Sequence, residues 1–106
     1  MQEIIDRYEI SEDGTIRNPR TGRELKPYIT LSKSLQPYYR ISLYVPSLKK
    51  KKNFKRSRLV AFKYCNPPYN WCELEVDHLD RDTVHDSKDN LKWVTPKENK
   101  NSWRNK

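Results

Sequence analysis

The tightest local constraint in this sequence is NLKWVTPKEN, residues 90–99, which predicts a short strand followed at once by a capped helix. Apolar and polar side chains alternate in its first half, as they do along a strand with one buried face. Its second half is a capping box, in which the side chains of Thr95 and Glu98 each accept a hydrogen bond from the other's backbone N–H, with Pro96 at the first helical position. A helix is therefore expected from Pro96 towards the C-terminus.

The preceding stretch supplies another strand and a polar loop. ELEV, residues 73–76, predicts a short strand, and residues 79–89 are polar and irregular. Two antiparallel strands with a helix packed across them form a ββα unit, an arrangement of the α+β class. Residues 71–106 are predicted to form this unit.

The first part of the chain, residues 1–70, predicts a small antiparallel sheet. SEDGTIRN and NPRTGREL predict tight turns, since Gly14 and Gly22 permit the positive φ that such turns need. In YYRISLYV, residues 38–45, the side chains on one face are aromatic or aliphatic, as expected of a strand against a core.

A basic segment and a short helix complete this first part. SLKKKKNFKR, residues 47–56, predicts an exposed basic loop that leads into a further short strand. SRLVAFKYC, residues 57–65, predicts a helix with Ser57 as its N-cap. No repeat or linker separates the two parts, so we expect one compact unit.

The charge balance indicates an anionic partner. Lys and Arg number 22 against 14 Asp and Glu, which gives a formal net charge of +8. Such an excess attracts polyanions, of which nucleic acid is the commonest in a cell. A basic surface kept only for solubility is the weaker explanation.

The sequence predicts a cytoplasmic protein without a membrane partner. MQEIIDRYEI carries acidic residues and lacks the apolar run of a secretory signal. No apolar run approaches the length that crosses a bilayer. The 2 cysteines are too few for a disulfide framework.

Four polar residues are expected to converge in the ββα unit. Asp77 and His78 end its first strand, Asn90 opens the second, and Asn99 lies on the first turn of the helix. The oxygens of Asp77 and Asn99 suit Mg²⁺ or Mn²⁺, and His78 beside them suits proton abstraction from water. Asn90 is placed to hold the His78 ring. Singly, each residue has an ordinary explanation in packing, capping or solvation, but their order and setting favour a site.

VDHLDRD…DNLKWVTPKEN resembles the HNH endonuclease motif, in the variant of phage and intron homing enzymes where Asp replaces the first His and Asn the last. The resemblance covers residues 72–103 and implies a ββα-metal (His-Me finger) nuclease that hydrolyses DNA phosphodiester bonds. It makes His78 the general base, oriented by Asn90. It makes Asp77 and Asn99 the ligands of one Mg²⁺ or Mn²⁺.

The first part of the chain resembles the small β-rich domain that often precedes this motif in phage proteins. If the chain is encoded by a phage, it is expected to act in the host cytoplasm.

The loop over residues 79–89 departs from the family pattern. Asp80, Arg81 and Asp82 stand where the family usually has Asp-Gly-Asn, and His85 and Asp86 replace a pair of asparagines. These departures leave a second interpretation open, in which the chain binds DNA without cleaving it.

Basic residues in two places are candidates for contact with DNA phosphates, although a solvated surface is the usual fate of a charge run. The expected partner is double-stranded DNA, with no small-molecule substrate; charge alone does not distinguish DNA from RNA. One metal and one base per chain predict a monomer that nicks one strand. The candidate contacts are Lys49, Lys50, Lys51, Lys52, Lys55, Arg56, Arg58, Lys97, Lys100 and Arg104.

A zinc site is the main structural alternative for the histidines. Cys65, Cys72, His78 and His85 offer a Cys₂His₂ set, but their spacings are wider than in ordinary zinc sites. A zinc-stabilised interaction domain is therefore a weaker hypothesis than a nuclease.

Overall fold

A computed structural model describes the backbone of residues 1–104 and the side chains of residues 1–100. Within that part of the chain, short antiparallel sheets and helices alternate, which confirms the α+β class. In chain order the elements are α1 (Gln2–Arg7), β1 (Glu9–Ile10), β2 (Ile16–Arg17), β3 (Glu24–Leu25), β4 (Tyr28–Leu31), β5 (Pro37–Val45), β6 (Lys50–Lys55), α2 (Arg56–Tyr64), β7 (Glu75–His78), β8 (Leu91–Val94) and α3 (Pro96–Arg104). No helix in this described part is long and apolar enough to cross a membrane.

The strands of residues 1–104 form three antiparallel sheets in the order of the chain. β1, β2 and β3 make the first, β4, β5 and β6 the second, and β7 and β8 the third. Each strand pairs with its neighbour in sequence, and short turns join the strands of the first two sheets, whereas the polar loop over residues 79–89 leads from β7 towards β8. The turn between β1 and β2 contains Gly14 at φ +95°, a backbone conformation that favours glycine.

One apolar core joins both parts of the chain. α2 contributes its fully buried centre, and β5 and β8 pack against it. Burying each large aliphatic side chain stabilises the fold by roughly 1.5–3 kcal/mol. Among the described residues, the buried members of this core are Ile4, Tyr8, Ile10, Ile16, Ile41, Leu43, Val45, Leu59, Val60, Ala61 and Leu91.

The capping box predicted before α3 is confirmed. The Thr95 N–H donates to Glu98 Oε1 at 2.9 Å, and the Glu98 N–H donates to Thr95 Oγ1 at 3.1 Å. α3 begins at Pro96, as the sequence predicts. This local device fixes where the helix starts relative to β8.

The basic segment differs from the expected loop. After a 3₁₀ turn at Pro46–Leu48, β6 begins at Lys50 and pairs with β5 along its whole length. Lysine is a poor strand former, so the pairing partner decides the conformation here. α2 then starts at Arg56, with Lys55 as its N-cap residue, and Ser57 is buried inside the first turn rather than capping it.

Candidate active site

The ββα unit brings three of the four predicted site residues into one cleft. β7 pairs with β8 so that His78 lies opposite Leu91, and α3 packs against β7. Asp77, His78 and Asn99 line a cleft of about 630 Å³. The turn between β4 and β5 and the start of α2 line the same cleft. The ordering of strand, strand and helix therefore assembles these side chains, as predicted.

The imidazole of His78 is held by a carboxylate. His78 is buried at the end of β7, and its Nε2 lies 2.7 Å from Asp86 Oδ1. Among the described residues, this is the hydrogen bond that the ring makes. Nδ1 is therefore the ring nitrogen left to accept a proton.

The carboxylate of Asp77 faces an arginine. Arg81 Nη1 lies 3.3 Å from both Oδ1 and Oδ2 of Asp77. Arg81 itself has φ +68°, in the left-handed region that an arginine rarely adopts. It occupies the position where the HNH motif usually has glycine, so a cationic side chain lies beside a predicted metal ligand.

The amide of Asn99 is oriented by β7. Asn99 Nδ2 donates to Glu75 Oε1 at 2.8 Å, which fixes which end of the amide faces the cleft. Asn99 Oδ1 is buried, and no described residue donates a hydrogen bond to it. A buried amide oxygen without a donor is suited to a hard cation. Together with the Asp77 carboxylate, it fits the oxygen ligands that Mg²⁺ or Mn²⁺ takes.

Asn90 holds the loop rather than the base. Its Oδ1 accepts a hydrogen bond from the Asp80 N–H at 3.0 Å, and its Nδ2 donates to Asp80 Oδ1 at 2.9 Å and to the His85 carbonyl at 2.8 Å. The expected direct contact between Asn90 and the His78 ring is therefore wrong. The loop over residues 79–89 folds back on the start of β8, where its polar groups form hydrogen bonds with both the nitrogen and the oxygen of the Asn90 amide.

A second ion pair closes this loop on its exposed side. His85 Nδ1 lies 2.7 Å from Asp80 Oδ2. This hydrogen bond lowers the pKa of Asp80 to about 2 and raises the pKa of His85 above its ordinary 6.5. The contact is fully formed between the ordinary pKa values of 3.8 and 6.5, and it is lost as the pH falls through the pKa of Asp80 or rises through that of His85.

Two arginines expected on DNA are used inside the protein. Arg56 Nε donates to Asp86 Oδ2 at 2.9 Å, and the guanidinium lies 4.1 Å from the centre of the Tyr39 ring. Arg58 donates to two backbone carbonyls ahead of β7. Because α2 starts at Arg56, both side chains lie in its first turn, against the ββα unit. Arg58 also lines the cleft, and contact of Arg56 and Arg58 with phosphates stays a prediction.

The lysines of β6 lie on two faces of the sheet. Lys50 and Lys52 pair with the core-facing residues of β5 and share that face at its rim. Lys51 and Lys55 lie on the opposite face, and Lys55 lines the cleft. Lys49 precedes β6 in a left-handed conformation, at φ +52°. All five side chains are exposed.

The basic residues of α3 are only partly described. Lys97 and Lys100 are exposed. The Arg104 side chain lies outside the residues whose side chains the structure describes. Contact of these three residues with DNA stays a prediction.

The candidate zinc ligands are not brought together. Cys65 Sγ donates to the Lys88 carbonyl at 3.5 Å, and burial raises the pKa of the Cys65 thiol, which opposes the thiolate that zinc needs. Cys72 is exposed, and His78 and His85 bind different carboxylates. Within the described residues, no group of three or more His, Cys, Asp or Glu is arranged to hold a metal.

Comparison with known proteins relates this chain to HNH endonucleases. The chain is 36% identical over 98 residues to the uncharacterised HNH endonuclease L245 of Acanthamoeba polyphaga mimivirus, covering 92% of this chain and 27% of the relative. It is 34% identical over 92 residues to the DNA endonuclease I-HmuI of Bacillus phage SP01, covering 87% of this chain and 48% of the relative. Over most of its length the chain is thus similar in sequence to two HNH endonucleases. It spans about half of I-HmuI and less than a third of L245, and no family model matches it.

The HNH fold is shared as well as the sequence. A solved structure that concerns DNA binding and cleavage by the HNH homing endonuclease I-HmuI has a TM-score of 0.74 and 32% identity to this chain. The match covers 92% of this chain and 52% of that one. Both parts of the chain thus fall within one continuous similarity to an HNH homing endonuclease.

Two residues of this HNH site were not predicted to act there. Asp86 contacts the His78 ring, and Arg81 contacts the Asp77 carboxylate. Both stand where the sequence departs from the family pattern, so the departures themselves were a visible signal. The partner of each residue is set by tertiary structure, and the sequence pattern does not give it.

Proposed function

We propose that this chain is a metal-dependent DNA endonuclease that hydrolyses phosphodiester bonds and, as a monomer, nicks one strand. The observation that carries the proposal is that Asp77, His78 and Asn99 share one cleft, with the Asn99 amide oxygen buried and without a donor among the described residues. DNA as the substrate is supported by the names of the HNH relatives and by the positive charge of the chain. One base and one pair of ligands in each chain support a single cut.

Each of the three residues has a distinct task in this proposal. Asp77 and Asn99 would hold a divalent cation through a carboxylate and an amide oxygen. Such a cation supplies positive charge against the phosphate and the leaving oxygen. His78 accepts the proton of the attacking water at Nδ1, while Asp86 occupies its Nε2. Lys55 lines the cleft and favours the approach of a phosphate backbone.

The two faces of β6 allow the DNA-contacting lysines to be separated. We expect the double change Lys51→Ala and Lys55→Ala to flatten the log–log salt dependence of DNA affinity by up to about two units, because each phosphate contact contributes about 0.9. The matched control is Lys50→Ala with Lys52→Ala, which removes the same charge from the opposite face. Binding of a duplex measured by fluorescence anisotropy over a series of salt concentrations gives both slopes. Equal slopes for the two double variants would show that the cleft face is not the contact surface.

DNA binding without cleavage is the second candidate function. The observation that favours it is Arg81, whose guanidinium lies 3.3 Å from both oxygens of Asp77. A permanent cation there competes with a divalent ion for the same carboxylate. Binding of DNA with no cleavage in Mg²⁺ or in Mn²⁺ would support this candidate.

Cleavage of supercoiled plasmid tests the proposed function. Purified protein is incubated with plasmid in Mg²⁺, in Mn²⁺ and in EDTA, and the circular forms are separated on a gel. We expect relaxed circles to accumulate before linear DNA in either metal, and EDTA to abolish both. Linear DNA appearing first would contradict nicking by a monomer, and cleavage that survives EDTA would contradict the metal.

A further inference from the structure

A buried carboxylate lies behind the candidate base. Asp86 is only 2% exposed, and a carboxylate so far from water requires partners for both oxygens. Its Oδ1 lies 2.7 Å from His78 Nε2, and its Oδ2 accepts a hydrogen bond from Arg56 Nε at 2.9 Å. One oxygen therefore serves the histidine and the other serves the arginine.

The arginine in this group is itself fixed by two further contacts. Arg56 Nη2 donates to the Val84 carbonyl at 3.0 Å. Its guanidinium lies 4.1 Å from the centre of the Tyr39 ring on β5, close enough for a cation–π interaction. Arg56 thus connects the sheet of the first part of the chain to the carboxylate behind His78.

The hairpin between β1 and β2 covers the pair. A Cβ at Gly14 would lie 3.1 Å from Arg56 Nε and 3.4 Å from the Asp86 carbonyl oxygen, so a larger residue would press on the ion pair. The Lys88 N–H donates to the Glu12 carbonyl at 2.8 Å and ties the same hairpin to the loop that carries Asp86. The carboxylate is therefore enclosed from several sides.

Proton placement follows from this geometry. A carboxylate accepts hydrogen bonds, so the Nε2 atom of a neutral His78 must carry the ring proton, which leaves Nδ1 as the acceptor. We propose that Asp86 is a positioning residue that fixes this tautomer and orientation of His78, and that Arg56 keeps Asp86 in place. The inference rests on the proposed function, because Nδ1 of His78 is the proton acceptor there.

Because Arg56 needs an acceptor, an amide cannot replace the carboxylate at position 86 without changing the tautomer of His78. An amide in its place has a single oxygen, and Arg56 has only donors, so it would take that oxygen. The amide nitrogen would then face His78 and donate to Nε2. The ring proton would move to Nδ1, and His78 could no longer accept a proton from water at that atom.

The test follows the ring proton directly. In ¹⁵N-labelled protein, long-range ¹H–¹⁵N spectra distinguish the two tautomers of a neutral imidazole. We expect wild-type His78 to carry its proton on Nε2 and Asp86→Asn to carry it on Nδ1. Metal-dependent plasmid nicking by Asp86→Asn should fall by roughly 10- to 100-fold, as it does when an outer partner is lost, with the DNA dissociation constant unchanged. Asp89→Asn, a matched change at an exposed position of the same loop, should leave both the His78 tautomer and the nicking rate unchanged.

Three results would overturn the inference. They are a wild-type ring protonated on Nδ1, an Asp86→Asn ring still protonated on Nε2, and a changed tautomer with wild-type cleavage. The wild-type spectrum needs no variant, so it decides the matter even if Asp86→Asn does not fold. Absence of cleavage by the wild type contradicts the proposed function instead, and leaves the tautomer measurement valid.

Discussion

Replacing His78 with Ala should slow metal-dependent plasmid nicking by roughly 100- to 10,000-fold, the contribution of a positioned general base. The pairing of β7 with β8 uses backbone groups, and Asp86 keeps its ion pair with Arg56, so the fold should persist at some cost in stability, because Asp86 Oδ1 loses its partner. Initial rates of conversion from supercoiled to relaxed plasmid give the effect. Anisotropy with an intact duplex should give a dissociation constant within about twofold of the wild type, since the ring is assigned to the chemical step.

The other histidine of the chain is the control for this change. His85 is exposed in the loop over residues 79–89 and pairs with Asp80, and neither of these two residues lines the cleft. Because the ion pair between His85 and Asp80 is exposed to solvent, His85→Ala should lower the nicking rate by less than about fivefold. Equal losses in both variants would mean that loop geometry, rather than a base, limits the reaction. A wild-type nicking rate in His78→Ala would show that His78 is not the general base.

The parts of this structure that follow from sequence are those with a local physical cause. The capping box places the start of α3 because Thr95 and Glu98 satisfy each other's backbone groups without outside help. The convergence of Asp77, His78 and Asn99 follows from the ββα order, because adjacent elements pack as neighbours. The candidate site was accessible from sequence to that extent.

The contacts that could not be predicted have no local sequence signature. Arg56 and Asp86 are 30 positions apart, and each looks like an ordinary surface charge in sequence. The same limit applies to β6, where a lysine-rich run looks like a solvated loop until β5 supplies its pairing partner. Asn90 was assigned to the wrong neighbour because the return path of the polar loop is not encoded in any local pattern.

Asp77→Ala should abolish detectable binding of Mn²⁺ and should lower the rate of nicking by at least about 100-fold. The reason is that the proposed ligand pair then keeps only its neutral member, Asn99, and loses its charged one. Electron paramagnetic resonance measures the Mn²⁺ binding. A variant that still binds Mn²⁺ with wild-type affinity would place the metal elsewhere. Because the spectroscopic measurement needs no DNA, it separates loss of the metal from loss of the base.

Arg81→Gly should have the opposite effect on the metal. Arg81 holds the Asp77 carboxylate, so its removal should tighten Mn²⁺ binding by roughly fivefold, the equivalent of about 1 kcal/mol for a partly exposed ion pair. Glycine also relieves the left-handed backbone at φ +68°, so the Tm should rise. Arg81→Lys keeps the charge and should leave the affinity near that of the wild type. Unchanged Mn²⁺ affinity in Arg81→Gly would show that the arginine does not compete for Asp77, and the argument for binding without cleavage would lose its structural support.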